Sequence, residues 1–412
     1  MTDHQSLGSD TMKKVLVVGC HIMGLGVIRS LHLKKIDTVA LHYEPTDIAH
    51  WSRYPSETAK IPDPCRDEEA FVCFLMQKAN TWGGSLIIPT NDQTAMTVSK
   101  NKRMLATQYV VAVPDWEVLE LFIDKEKQYK VAEKAGVPCP ITFIPNGIED
   151  LRDREHDISY PCVLKPTQSH EFKAIFNRKN FEVHNAQEMA EKYKLCLNAG
   201  QPVMVQEIIR GPDSNFRKMQ GYVNSKGQIV GKFFLGKLRS NPPPFGVGRV
   251  VVSTERDPEV EDLTSRLLLH VGYREGFFSI EFKRDSRDNK LKLIENNVRL
   301  VRNNWLATCC GINFPWLIYL DLMEQQQMDI ETYTEGFNWI ELYSDLFNTF
   351  FHHRRENISW REYIRPYLSK NKTYPILSWR DPMPFLKETL VLPLILKKKY
   401  FKRQLKCIPN SD

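Results

Sequence analysis

Two carboxylates on what read as neighbouring strands constrain this chain more than any other feature. Glu281 and Glu295 each close a short apolar run, with Phe277, Phe278 and Ile280 before the first and Leu291, Leu293 and Ile294 before the second. The stretch Arg284-Asp285-Ser286-Arg287-Asp288-Asn289 between them is polar enough for a hairpin loop. Pairing across that loop brings two like charges together, which is tolerable mainly when a divalent cation sits between them. Asn297 lies two residues after Glu295 and so shares its face of an extended strand, and Arg299 follows at the same period. Two carboxylates and a neutral amide form an oxygen set suited to Mg²⁺, with Mn²⁺ as the alternative ion, and a planar guanidinium suits phosphate or carboxylate. Taken alone, such a ribbon is more often a solvated surface hairpin. The rest of the chain decides between the two readings.

Before that hairpin the chain alternates. Lys13 to Gly19 reads as a strand ending on glycine, and Gly24-Leu25-Gly26-Val27 opens a helix. Strands at Thr38–Tyr43 and Ser85–Thr90 continue a βα pattern expected of an open, mostly parallel sheet, which predicts a Rossmann-like unit up to about residue 113. Gly19, Gly24 and Gly26 do not match the dinucleotide fingerprint, so they predict a tight turn and close packing, and NAD is disfavoured. Asn91 and Asp92 follow the third strand, where such sheets line crevices. Asp92 is therefore a candidate substrate contact, with a helix N-cap as the competing role.

Further on, Asp124 to Ala135 predicts a helix stopped by Gly136 and Pro138, and Ala186 to Asn198 and Pro258 to Val271 predict two more. Short buried strands carry Lys165 at Tyr160 to Pro166 and Gln206-Glu207 at Pro202 to Ile209. Strands dominate from Met219 to Ser253. From Gly311 the chain reads as mostly helical, with Trp339, Trp360 and Trp379 in a C-terminal appendage.

Four pieces in order, Val163-Leu164-Lys165-Pro166, Val205-Gln206-Glu207-Ile208-Ile209 with Gly211 and Asp213, Ile280-Glu281-Phe282, and Ile294-Glu295-Asn296-Asn297-Val298-Arg299, resemble the ATP-grasp superfamily. The resemblance covers roughly residues 13 to 325 and is strongest to its carboxylate-amine ligases, such as the D-aspartate ligase type and the carbamoyl-phosphate-synthetase-like domains. It implies an α/β and α+β architecture: a pre-ATP-grasp domain (1–113), a first lobe (114–200), a second lobe with the metal site (201–325), and a helical appendage with a basic tail (326–412). It also implies ATP binding by Lys125, Lys165, Gln206, Glu207, Asp213, Glu281 and Glu295, with metal held by Glu281, Glu295 and Asn297. Lys165 and Arg299 are the implied catalytic cations. The implied reaction joins a small-molecule carboxylate, an amino acid or sugar acid of a cell-surface polymer, to an amine through an acyl phosphate.

Two stretches depart from the family pattern. The stretch Thr167-Gln168-Ser169-His170-Glu171-Phe172-Lys173 has no glycine, so Ser169, His170, Lys173 and Lys179 are the expected substitutes for backbone donors to phosphate. Val298 stands where many relatives carry proline, a change that suits a strand. The segment Lys237-Leu238-Arg239 with Pro242 to Arg249 reads as a mobile loop supplying cations to an acidic substrate, which makes Arg239 and Arg249 candidate contacts, with a plain β-hairpin connection as the equal alternative. A nucleotide-binding regulatory protein that keeps the fold without turnover is the alternative.

Composition adds limits. The 412 residues, 42% hydrophobic and 26% charged, suit about two to four globular domains. No run approaches the roughly 20 apolar residues of a membrane span, and the N-terminal residues lack signal-peptide order, so a cytoplasmic location is expected. Nine cysteines without paired short spacings read as reduced thiols, and Cys309-Cys310 as core. The net charge of +6 is matched by Lys397, Lys398, Lys399, Lys402, Arg403 and Lys406 alone. This argues against a nucleic-acid surface across the fold and leaves one basic tail, next to the apolar Leu390 to Leu396, which reads first as a helix packed on the body with a solvated basic end and second as a contact to anionic membrane. Oligomeric state has no signal in the sequence.

Overall fold

The computed structural model describes residues 13–166, 172, 175, 176, 178, 180–241, 246–326, 328–356 and 358–392. Its first sheet is built from β1 (Val15–Val18), β2 (Thr38–His42), β3 (Glu57–Lys60), β4 (Leu86–Pro89) and β5 (Val110–Val111), in the order β3-β2-β1-β4-β5. Every pairing is parallel. The buried runs of β1, β2 and β4 explain their legibility in the sequence, since strands covered on both faces are apolar throughout. Strand β3, which the sequence reading passed over, alternates half-buried and exposed residues at the sheet edge. Gly19 ends β1 at φ +95, and a Cβ at Gly26 would lie 2.0 Å from Asn304 Oδ1. These glycines therefore serve a turn and a helix contact, as their spacing predicted.

The second sheet contains β6 (Thr142–Phe143), β7 (Cys162–Pro166), β8 (Phe181–Val183) and β9 (Val203–Glu207), ordered β6-β9-β7-β8 and antiparallel. Helix Ala186–Asn198 has the predicted bounds, is capped by Asn185 accepting from the Glu188 N–H, and buries Met189, Tyr193 and Cys196 among Phe143, Leu164 and Val205.

The third sheet comprises β10 (Phe216–Val223), β11 (Ile229–Asn241), β12 (Val247–Ser253), β13 (Gly276–Arg284), β14 (Leu291–Asn297), β15 (Asn338–Ile340) and β16 (Lys372–Thr373). Its order is β14-β13-β10-β11-β12-β15-β16. Helix Pro258–His270 buries Val260, Leu263 and Leu267 with Met219, Ile280 and Phe282 of this sheet. Another core joins it to the first sheet, because Val17, Leu25 and Ile28 cluster with Leu306, Phe314, Phe233 and Trp339.

That core shows how the mostly helical C-terminal region joins the fold. Helices Leu342–Glu356 and Trp360–Leu368 are present, but β15 and β16 extend the large sheet, and Trp339 is fully buried in it. A three-residue Asn338-Trp339-Ile340 strand is too short to show a period. Two buried carboxylates then fasten this region. Asp381 accepts from Arg29 Nε at 3.0 Å and from Ser52 Oγ at 2.9 Å, while the Arg29 guanidinium also donates to the carbonyls of Pro375 and Ile376. Asp345 accepts from Arg239 Nε (2.9 Å) and Nη2 (2.7 Å), from Arg249 Nε (2.8 Å) and from the Tyr367 hydroxyl. Removing one member of a buried charge network leaves the others desolvated without compensation. Asp345→Ala is therefore expected to destabilise the fold by about 3–5 kcal/mol, read as a lowered urea midpoint; a change of a few tenths would show that the two guanidiniums find other partners.

Candidate active site

The hairpin forms where the sequence places it. The Asp285 N–H donates to the Lys290 carbonyl at 2.9 Å and the Asn289 N–H to the Asp285 carbonyl at 2.8 Å, with Asn289 at φ 59 taking the left-handed turn position that asparagine tolerates. The register that follows sets Glu281 directly opposite Glu295, and Ser279 opposite Asn297. Cross-strand partners share a face, so Glu281, Glu295, Asn297 and Arg299 line one cavity of about 140 Å³ together with Lys218, Lys237 and Trp339.

Neighbouring strands supply what the sequence reading did not anticipate. Lys218 on β10 sits opposite Glu281 in register, and its Nζ lies 2.8 Å from Oε2. Lys237 on β11 reaches Oε1 at 3.1 Å and stands 3.6 Å from the Phe216 ring centroid. Burial alone would push the Glu281 carboxyl up, but the two ammonium groups outweigh it and hold the carboxyl down at about 2. Lys218 follows Phe216 and precedes Gln220 at the strand period, a signal that marks a face but not the residue across from it.

Arg299 makes a paired contact with Asp92, Nε to Oδ1 at 3.0 Å and Nη2 to Oδ2 at 3.2 Å. Asp92 is the first residue of helix Asp92–Lys100. Asn91 caps that helix, accepting from the Thr94 N–H at 2.9 Å, and donates to the Tyr43 hydroxyl at 2.7 Å. Cap and site contact thus fall to adjacent residues, and the carboxyl edge of the first sheet meets the cavity wall of the third.

A second cluster gathers on the second sheet. Lys165 Nζ donates to Gln206 Oε1 at 3.1 Å, Gln206 Nε2 donates to Thr142 Oγ1 at 2.8 Å, and Lys125 Nζ donates to the Pro166 carbonyl at 3.1 Å. Lys125 opens helix Lys125–Lys134, whose cap Asp124 accepts from the Glu126 and Lys127 N–H groups.

Three expected contacts are corrected. The Glu207 carboxylate, read as an adenine contact, is taken up within the fold, where it accepts from Arg287 (2.7 Å), Lys292 (2.8 Å) and the Ile141 N–H (3.0 Å). Burial would raise it, yet these partners hold it below the usual carboxylate range. Arg239 and Arg249 do not reach the cavity; both are buried against Asp345, since a guanidinium inside a fold needs a carboxylate. Asp213, in the turn before β10, accepts from Ser240 Oγ. Ser169, His170, Lys173, Lys179 and Pro242 to Phe245 lie outside the described residues.

Fit to a metal follows from the donor set. Among the described residues no three His, Cys, Asp or Glu side chains converge, so two carboxylates and the Asn297 amide are what the cavity offers. That matches Mg²⁺, which takes one or two carboxylates and fills its remaining positions with water and phosphate oxygens.

No protein-family model matches the chain. By sequence it is similar to the D-aspartate ligase of Enterococcus faecium (strain Aus0004), 26% identical over 245 residues that make up 57% of this chain and 58% of that enzyme. By structure it is similar to a biotin carboxylase of Campylobacter jejuni solved as a beta-gamma-ATP complex, at TM-score 0.63, 18% identity and coverage of 79% and 74% of the two chains. The L-amino acid ligase of Bacillus licheniformis superposes at TM-score 0.58, with 14% identity and coverage of 75% and 74%. These likenesses agree with the ATP-grasp resemblance of the four sequence pieces. The chain spans less than two thirds of the length of that D-aspartate ligase.

The lysine clamp has a pH signature. Because the folded Glu281 carboxyl titrates below its ordinary value of 4.5, its pairing stabilises the protein above that value and is lost as pH falls toward about 2. The melting-temperature gap between the wild-type protein and its Glu281→Gln variant is expected to stay constant above about pH 5 and to close on further acidification; a gap that does not move with pH would show that the charge is not what Lys218 and Lys237 recognise.

Proposed function

We propose that the protein is an ATP- and Mg²⁺-dependent ligase that joins a small carboxylate to an amine, releasing ADP and phosphate. The observation that carries this reading is Glu281 set opposite Glu295, with Asn297 and Arg299 on the same cavity wall. The names of the D-aspartate ligase and L-amino acid ligase relatives support an amino acid as the acid or amine, and a sugar acid of a cell-surface polymer remains the alternative substrate class. A cytoplasmic setting supplies the ATP. In this reading residues 1–113, 114–200, 201–325 and 326–412 are the pre-ATP-grasp domain, the two lobes and the C-terminal region.

The chemistry needs no protein nucleophile. A carboxylate oxygen of the acid attacks the γ-phosphorus, the bond to the β,γ-bridging oxygen breaks, and ADP leaves. The amine lone pair then attacks the acyl carbon, the C–O bond to phosphate breaks, and the amine's proton is lost as the C–N bond forms. Lys125 and Lys165 take the nucleotide phosphates, Gln206 and the backbone after Glu207 take the base, and Asp213 takes the ribose. Glu281, Glu295 and Asn297 hold the cation, which neutralises phosphate charge. Lys218 and Lys237 share that wall and are the cations available to an acidic substrate. Arg299, bidentate to Asp92, has the fork geometry to exchange that carboxylate for the phosphoryl group or the acid, so Asp92 positions it.

One observation favours a second reading, a nucleotide-binding regulatory protein without turnover: Lys218 and Lys237 already neutralise Glu281. ADP release measured with ATP, Mg²⁺ and pooled amino acids and sugar acids separates the two. Release that depends on a pool and falls by roughly 100-fold or more in Glu281→Gln/Glu295→Gln is expected; ATP binding with no release in any pool sinks the ligase. Arg299→Ala is expected to lower kcat by about 10²–10³ with little effect on the KM for ATP, and Asp92→Asn is expected to shift the KM of the acid; a pure loss of thermal stability in both variants would reduce the pair to a structural tie.

A further inference from the structure

The C-terminal helices are amphipathic in the wrong sense for a protein surrounded only by water. In helix Leu342–Glu356 the polar Asp345, Asn348 and Thr349 are buried, whereas Leu346, Phe347 and Phe350 are exposed. Helix Trp360–Leu368 buries Tyr363 and Pro366 and exposes Trp360, Ile364 and Leu368, an i, i+4, i+8 stripe. The helix at 383–392 turns Phe385 inward, stacked on Tyr343 at 5.3 Å, and exposes Met383, Leu386 and Leu390. Trp379, just ahead of it, is 93% exposed, with Leu368 at 76% and Leu390 at 69%.

These elements are neighbours. Tyr367 of the second helix donates to Asp345 of the first, and Tyr343 of the first stacks on Phe385 of the third. Three adjoining helices each leave an apolar stripe to water, a concentration of exposed apolar side chains that monomeric proteins rarely carry.

Charge identifies the occupant. Residues 358–412 hold twelve Lys and Arg against four Asp and Glu, which leaves 44 against 46 in the rest of the chain. The whole positive balance therefore belongs to this segment. Arg361, Arg365, Lys370 and Arg380 are exposed among the stripes. The last described residue, Leu392, is followed by twenty more that include six Lys and Arg. A second copy of this region would bring like charges face to face, and an apolar tail folded back would add six cations to a basic surface. Anionic lipid answers both properties at once, with headgroups for the cations and acyl chains for Leu368, Trp379 and Leu390. Exposed tryptophans are the side chains that settle at that boundary. No single helix among the described residues is long and apolar enough to span a membrane.

We infer that the face formed by helices Leu342–Glu356 and Trp360–Leu368, Trp379 and the helix at 383–392 docks the protein on an anionic membrane surface. The inference does not depend on the ligase reading, since vesicle binding requires no turnover. Its test is co-sedimentation of the full chain with phosphatidylcholine vesicles containing about one part in four phosphatidylglycerol, against pure phosphatidylcholine. Wild type is expected to sediment with the anionic vesicles only and to be released by salt. The Leu368→Ser/Trp379→Ser/Leu390→Ser variant changes only exposed side chains and is expected to keep its melting temperature while its partition coefficient falls by roughly tenfold or more. Equal binding to both vesicle types, no binding to either, or full binding by the triple variant would overturn the inference. So would a dimer mass in sedimentation velocity that reverts to monomer in the triple variant, because the face would then belong to a second copy.

Discussion

The position of Glu281 in the third sheet is the constraint on which the site depends. A carboxylate 5% exposed in the middle of a seven-stranded sheet needs positive partners, and the order β14-β13-β10-β11 provides them. Lys218 comes from the strand on one side of β13 and Glu295 from the other, while Lys237 reaches across from the strand beyond. Slipping β13 by one residue would turn Glu281 to the opposite face and separate all four groups. The same register that stabilises the strand pair therefore assembles the metal-ligating pair proposed here. This is why a like-charged Glu281–Glu295 juxtaposition is tolerated: two ammonium groups already offset the buried member.

Buried charge recurs as the fastening of the fold. Asp345 ties β11 and β12 to the C-terminal helices, Asp381 ties helix Ile22–His32 to the segment before the last helix, and Glu207 ties β9 to the hairpin through Arg287 and Lys292. Asp345 and Asp381 meet arginines through more than one contact, the arrangement that best offsets desolvation, and Glu207 takes one hydrogen bond each from Arg287 and Lys292. Such contacts add little net stability over an apolar substitute, but they penalise any alternative packing that breaks them. Their effect here is specificity: they hold the cavity strands against elements far away in sequence, including Arg29 and Asp381, 352 residues apart.

The C-terminal region combines both themes. It completes the large sheet through β15 and β16, supplies Trp339 to the cavity and to the core, and turns its polar helix face inward because Asp345 is needed there. Once that face is occupied by the arginines, Leu346, Phe347 and Phe350 must point outward. Solvation of the buried network and exposure of the apolar stripe are two consequences of one orientation.

Local physics made much of this legible beforehand. The hairpin was readable because two apolar runs flank a polar loop, and helix Ala186–Asn198 because its cap and period are contained within its own residues. Glu281, Glu295, Asn297 and Arg299 were readable as one wall because a strand alternates with period two and a short loop leaves little choice of partner. Tertiary structure alone decided which distant strand lies beside β13, and with it the lysine clamp at Lys218 and Lys237. It also decided that Arg239, Arg249 and Glu207, read as ligand contacts, are spent inside the fold, and that Asn338-Trp339-Ile340 is a strand of the large sheet. The reason is physical: period and capping act over a few residues and are written there, whereas the partner of a buried charge is whichever opposite charge the packing brings within about 3 Å, and sequence distance places no limit on it.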